Sequence, residues 1–212
     1  MKKSPILAAL ILGLAGAIAS APAFADSVLY DNTTSNSYGP DGATYLCPNQ
    51  ITDSFTLSGP AVVDAATFPI WVRSGDSVAS VSWEITSQPF GGSTLAAGDA
   101  TSLPNTPVFP DYHSSEFDIL QESVSIPDLT LGPGTYWFEI SDLTSKIYSA
   151  GYWDNSFGTS TAYQNNPSNA IQSESFQILG ATDAAIPEPS SFLLLASGLA
   201  GLAGMVRRKL LR

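Results

Sequence analysis

Between Asp26 and Ile186 this 212-residue chain has almost no positive charge: Arg73 and Lys146 stand there against eighteen aspartates and glutamates. The other six lysines and arginines lie within the first three and the last six residues. The central segment therefore carries a formal −16, which the whole-chain value of −11 conceals. A segment so short of cations repels phosphate backbones and anionic lipid, which argues against nucleic acid or an anionic membrane surface as its partner. Cysteine is equally scarce. Cys47 is alone, so no disulfide closes within the chain, and its neighbours Tyr45, Leu46 and Pro48 predict a buried, inert thiol. There is one histidine, His113, and no motif joins it to Cys47 or to a serine nucleophile. The chain also lacks Gly-x-Ser-x-Gly, His-Glu-x-x-His, Cys-x-x-Cys and a phosphate-binding glycine loop before a helix, so the common signatures of hydrolases, metalloproteases and nucleotide enzymes are missing. Long helical periodicity is absent from 26–186.

What fills that segment is short period-2 alternation bounded by Gly, Pro, Asn, Asp and Ser. Ile51, Phe55 and Leu57 share one strand face, with Asp53 the exception. Val81, Trp83 and Ile85 share another, against Ser82, Glu84 and Thr86. After the turn Gly132-Pro133-Gly134, Tyr136, Phe138 and Ile140 point one way and Thr135, Trp137 and Glu139 the other. Further strands are predicted at 28–30, 68–73, 117–121 and 147–153, with a last one carrying Phe176 and Ile178. Residues 98–112, with Pro104, Pro107 and Pro110, read as one long loop. About 160 residues suffice for one domain with a full core. The predicted fold is all-β, an antiparallel β-sandwich of the jelly-roll or immunoglobulin-like kind.

Both ends carry processing signals. Lys2 and Lys3 precede an apolar stretch from Ile6 to Ala19, and Ala23 and Ala25 supply the small residues a signal peptidase needs, predicting a mature N-terminus at Asp26. At the other end Pro187-Glu188-Pro189 is followed by 17 uncharged residues, Ser190 to Val206, and then by Arg207-Arg208-Lys209. As a helix that run spans about 26 Å, against about 30 Å for a bilayer core, which makes it a marginal transmembrane helix. Basic residues stay cytoplasmic, so the domain before the span faces away from the cytoplasm. The organisation read from sequence is a signal peptide at 1–25, a β-sandwich passenger at 26–179, a flexible linker at 180–186 and a tail at 187–212, with the span at 190–206 and the basic stop at 207–212.

The tail closely resembles the PEP-CTERM sorting domain of Gram-negative bacteria, through Pro187-Glu188-Pro189, the Gly-Leu-Ala-Gly-Leu run at 198–202, and Arg207-Arg208-Lys209. The resemblance covers 26 of 212 residues. It implies that an exosortase, a membrane cysteine protease, reads and removes the tail near Pro-Glu-Pro. It also implies export across the inner membrane with signal peptidase as the other processing partner, transient anchoring through the C-terminal helix, then a place at the cell surface or in an exopolysaccharide or biofilm matrix. Four short passenger segments, Leu29-Tyr30-Asp31-Asn32, Gly134-Thr135-Tyr136-Trp137, Tyr152-Trp153-Asp154 and Ser173-Glu174-Ser175-Phe176, resemble a recurrent β-sandwich passenger of such proteins. That resemblance brings no catalytic residues with it.

The expected function is therefore that of a non-enzymatic, exosortase-sorted surface or matrix protein associated with exopolysaccharide. The alternative is a carbohydrate-binding module, in which Trp137 and Trp153 offer flat rings for sugar stacking while Trp83 fills the core. A secreted polysaccharide hydrolase is a third reading; it needs two placed carboxylates, and Glu84, Asp118 and Glu139 are among the candidates. No cofactor is expected beyond a structural calcium ion, for which the oxygen-rich loop from Asp31 to Asp41 and the segment Asp154-Asn155 supply the ligand types.

Overall fold

Side chains that alternate between buried and exposed build thirteen strands in a computed structural model that describes residues 27–33, 42–108 and 116–182. No α-helix occurs among the described residues, and every strand pairing is antiparallel. The predicted signal peptide, the sorting tail, Asp41 and His113 lie outside them.

Two sheets form. The spine of the first is β4 (Ala61–Arg73), rich in Ala, Val and Ile and largely buried. One edge of it pairs throughout with β8 (Phe117–Leu131), which carries the two-residue β7 (Thr106–Pro107) beyond. Its other edge pairs first with β13 (Gln177–Thr182) and then with β10 (Tyr152–Asp154). β1 (Ser27–Asp31) lies outside β13, and β2 (Ala43–Tyr45) outside β10. Pro69 has no N–H to donate, and it sits where β4 changes partner between Thr67–Gln177 and Ile70–Trp153. Pro127 falls in the bulge of β8 where the register slips between Leu129–Val63 and Ser125–Ala65.

The second sheet runs in the order β12 (Ala170–Ile171), β11 (Ala162–Gln164), β3 (Ile51–Leu57), β9 (Gly134–Ser145), β5 (Val78–Gln88), β6 (Gly91–Ala100). It faces the first across a shared apolar core. Phe138 of this sheet meets Phe68 and Trp153 of the first, both at 5.8 Å between ring centroids, the latter edge-on at 89°. Phe176, just before β13, closes the same ring cluster against Phe138 at 5.8 Å and Trp153 at 6.0 Å. Such pairs add about 0.5–1.5 kcal/mol each to the area they bury, which makes this cluster the centre of the fold.

Several expectations change. Of the strand predicted at 147–153, only 152–154 is extended; Ile147 and Tyr148 are exposed in a loop, whose backbone N–H groups donate to the Asp76 carboxylate at 3.0 and 3.1 Å. The predicted long loop begins later, because 98–100 complete β6 and 106–107 form β7. The last strand also runs into the segment predicted as linker. Gly180, Ala181 and Thr182 pair with Val63, Val62 and Ala61, and only glycine fits at 180, where φ is +152° and a Cβ would sit 2.0 Å from the Val62 carbonyl oxygen.

Candidate functional site

Trp137 and Glu139 alternate with Phe138 and Ile140 along β9; the latter two are fully buried in the core, so the former project from the outer face of the second sheet. Trp137 is half-buried and its ring lies 5.6 Å from that of Tyr163 on β11, tilted by 36°. The pair bridges diagonally across β3, over Thr52, which is opposite both Tyr163 and Glu139 in register. Thr52 is completely buried there and its hydroxyl has no hydrogen-bond partner. The surrounding outer-face residues are Ser54 and Thr86, opposite Trp137, then Glu84 opposite Glu139, and Ser82 opposite Asp99. Ser82 donates to Asp99 at 2.6 Å.

Glu139 is only 8 % exposed. Burial, and secondarily the charge of Glu84 across the strands, pushes its carboxyl up to about 7, and no hydrogen bond offsets that shift. An aromatic pair beside hydroxyls and paired carboxylates is suited to a polyhydroxylated ligand: flat rings take the apolar face of a sugar and oxygen acceptors take its hydroxyls. Asp118 is not part of this face. It belongs to β8 in the first sheet and accepts hydrogen bonds from Gly75 N and the Ser74 hydroxyl.

Trp153, the second ring predicted to stack on sugar, is fully buried, and its Nε1 donates to the Ser175 carbonyl at 2.8 Å. The reason is tertiary: β10 is inserted between β4 and β2, so the side of Trp153 that faces inward meets the other sheet. Trp83 fills the core as expected, at 4 % exposure, with its ring lying over Gly98, where a Cβ would be only 3.0 Å away. Cys47 is half-buried; its thiol donates to the Leu143 carbonyl and burial raises its pKa.

Of the calcium candidates, the described Asp31 and Asp154 have other partners. Asp31 Oδ1 accepts from Thr33 N and the Thr33 hydroxyl, at 2.9 and 2.6 Å, and Oδ2 from Gln177, which hold its carboxyl below the usual value against the cost of partial burial. Asp154 is 2 % exposed and accepts from Trp71 Nε1 at 2.9 Å. No group of three His, Cys, Asp or Glu among the described residues is arranged to hold a metal ion.

Sequence reading missed a buried polar cluster where β3, β10 and 173–175 meet. Asp53 accepts from Ser54 N, Glu174 N and the hydroxyls of Ser160 and Ser173, yet burial still lifts its carboxyl to about 6. Asn32 Nδ2 donates to Ser160, Ser173 and the Glu174 carbonyl, tying the start of the domain to this cluster. Glu174 is fully buried with both carboxylate oxygens unpartnered. The nearby Thr44 hydroxyl is committed to Asn155 Oδ1 at 2.9 Å. Burial first, with the charges of Asp53 and Asp154 adding to it, holds the Glu174 carboxyl well above its ordinary value. The one sequence signal was Asp53 itself, a carboxylate on an otherwise apolar strand face.

Taken together, the described residues define an all-β domain of two facing antiparallel sheets, with an aromatic and acidic outer face on one of them. The class of protein that carries this domain is set by the tail: residues 185–209 match the PEP-CTERM protein-sorting motif. The chain is thus an exported protein sorted by an exosortase, which displays its tail at the membrane on the way to the cell surface. A search of curated proteins finds no match to the chain.

Proposed function

We propose that the passenger is a non-enzymatic surface or matrix domain that associates with exopolysaccharide through the outer face of its second sheet, and that the two facing sheets form a sandwich of the jelly-roll or immunoglobulin-like kind. The observation that carries the glycan reading is the half-buried Trp137–Tyr163 pair on an open sheet face of a domain delivered to the cell surface. The missing nucleophile and metalloprotease motifs support a binding role. Three of the four tryptophans are buried, so a ligand-induced change in intrinsic fluorescence reports chiefly on Trp137. Titration with the producing cell's own polysaccharide is expected to shift the emission of the wild type, and Trp137→Ala is expected to abolish retention on that polysaccharide. No spectral change at saturating polysaccharide would sink the reading. Mass spectrometry of protein from cells and medium tests the sorting half: a new N-terminus at Asp26 and loss of the tail near Pro187-Glu188-Pro189 are expected.

One observation favours a second reading, glycan hydrolysis. Glu84 and Glu139 face each other on neighbouring strands, and the raised pKa of Glu139 keeps a proton available near neutral pH, as a general acid requires. Release of reducing ends from oligosaccharides, lost in Glu139→Gln, would establish it.

A further inference from the structure

A strip of carboxylates runs beside the aromatic pair. Glu139 on β9 faces Glu84 on β5, and Asp99 on β6 follows one diagonal position along, so the strip crosses three neighbouring strands, about 10 Å, from Trp137 to the sheet edge. Like charges opposite each other destabilise a sheet, and neither described cation relieves them. Arg73 belongs to the first sheet and pairs with Glu116; Lys146 follows the end of β9, about 23 Å of extended chain beyond Glu139. Glu139, in the strip, is 8 % exposed and its carboxyl has no hydrogen-bond partner, and the fully buried Thr52 hydroxyl beneath the aromatic pair has none either. Only Asp99 in the strip has a donor, the Ser82 hydroxyl, so the facing Glu139 and Glu84 are left as acceptors without one, in a segment of net charge −16.

We infer that this face selects a glycan bearing free, protonated amino groups, with a sugar ring against Trp137 and Tyr163 and its ammonium between Glu139 and Glu84. The inference rests on the glycan-binding reading above and names its substrate class. Charge complementarity carries it. An ammonium brings three donors and no acceptor, which matches two facing carboxylates, whereas an acetylated nitrogen brings one donor and no charge. A uronic acid is repelled by the same strip.

The test uses the full-length chain in detergent, titrated by tryptophan fluorescence at low ionic strength with glucosamine oligomers, their N-acetylated counterparts and uronic-acid oligomers of equal length. Glucosamine oligomers are expected to bind about tenfold or more tightly than the acetylated ones, with uronic-acid oligomers weakest. In Glu84→Gln/Glu139→Gln that ratio should fall to about one, since the double variant removes the charges and keeps the side-chain shape. The control Glu116→Gln/Asp128→Asn changes net charge by the same amount, beside and within β8 of the first sheet, and should keep the ratio. Equal affinity for amino and acetylated oligomers, or a preference that survives the Glu84/Glu139 change, overturns the amino-sugar inference and leaves glycan binding standing. No binding of any oligomer by the wild type, confirmed with the cell's own polysaccharide, overturns both.

Discussion

Trp153 illustrates how much rests on single residues. Its ring touches Phe68, Phe138 and Phe176, and its N–H satisfies the Ser175 carbonyl inside the core. Trp153→Phe keeps most of the contacts and loses the hydrogen bond, with an expected cost of about 1–3 kcal/mol. Trp153→Ala leaves a cavity as well and is expected to cost about 3–5 kcal/mol. Urea denaturation reads both, and an unchanged midpoint for the alanine variant would remove Trp153 from the core. Glu139 works in the opposite direction. Its carboxyl rises from 4.5 to about 7 in the folded chain, so its ionisation above neutral pH opposes folding by about 3 kcal/mol at most. Glu139→Gln is therefore expected to raise the melting temperature near pH 8 and to change little near pH 5; equal effects at both would contradict a carboxyl raised by burial and by Glu84.

At the scale of elements, β13 is the strand that joins the sorting tail to the fold. It lies between β1 and β4, so the strands at the two ends of the passenger are hydrogen-bonded neighbours. Five residue steps separate Thr182 from Pro187, at most about 18 Å even when fully extended. Gly180→Ala sets a Cβ against the Val62 carbonyl and forces φ of +152° on a residue that rarely adopts it. It is expected to destabilise the domain by more than about 1–3 kcal/mol, and hydrogen exchange should locate the loss in β13 and β1. Protection confined to its wild-type pattern would show that the strand end tolerates the change. Sequence pattern found β3, β5 and the first half of β9, where large apolar residues alternate with polar ones. It missed β6, whose Gly-Gly-Ser-Thr-Leu-Ala-Ala-Gly-Asp-Ala has little apolar contrast, and most of β8 beyond Gln121, where Pro127 reads as a break until the bulge accommodates it.

For the whole molecule, buried carboxyls decide the response to pH. Asp53, Glu122 and Glu139 are raised to about 6, 7 and 7 by burial, and burial with neighbouring charge holds Glu174 well above its ordinary value. A carboxyl with a raised folded pKa stabilises fully below its unfolded value, and that contribution is lost as pH climbs through the folded value. All four therefore favour the fold at about pH 4 and below, and Asp53, Glu122 and Glu139 lose that contribution as pH climbs to about 6 to 7. Asp31 and Asp76, both held below their usual values by hydrogen bonds, act oppositely and lose their contribution in stronger acid. Maximum stability is expected near about pH 4, with the melting temperature falling from about pH 5 to pH 8. Calorimetry across that range checks it; a melting temperature that rises toward pH 8 would contradict the burial of these groups.

Sequence alone was enough for the sorting tail, the acidic character of the passenger and its all-β class, because each depends on composition or on residues a few positions apart. The outer face depends on register between distant segments. Glu84 and Glu139 are 55 residues apart, and only the pairing of β5 with β9 sets them opposite each other; Trp137 meets Tyr163 only because β3 lies between β9 and β11. Trp153 and Trp137 both read as exposed rings, and what separates them is which has a second sheet packed over it. Local alternation says that a strand has two faces; the packing of one sheet on another decides which face is left to bind.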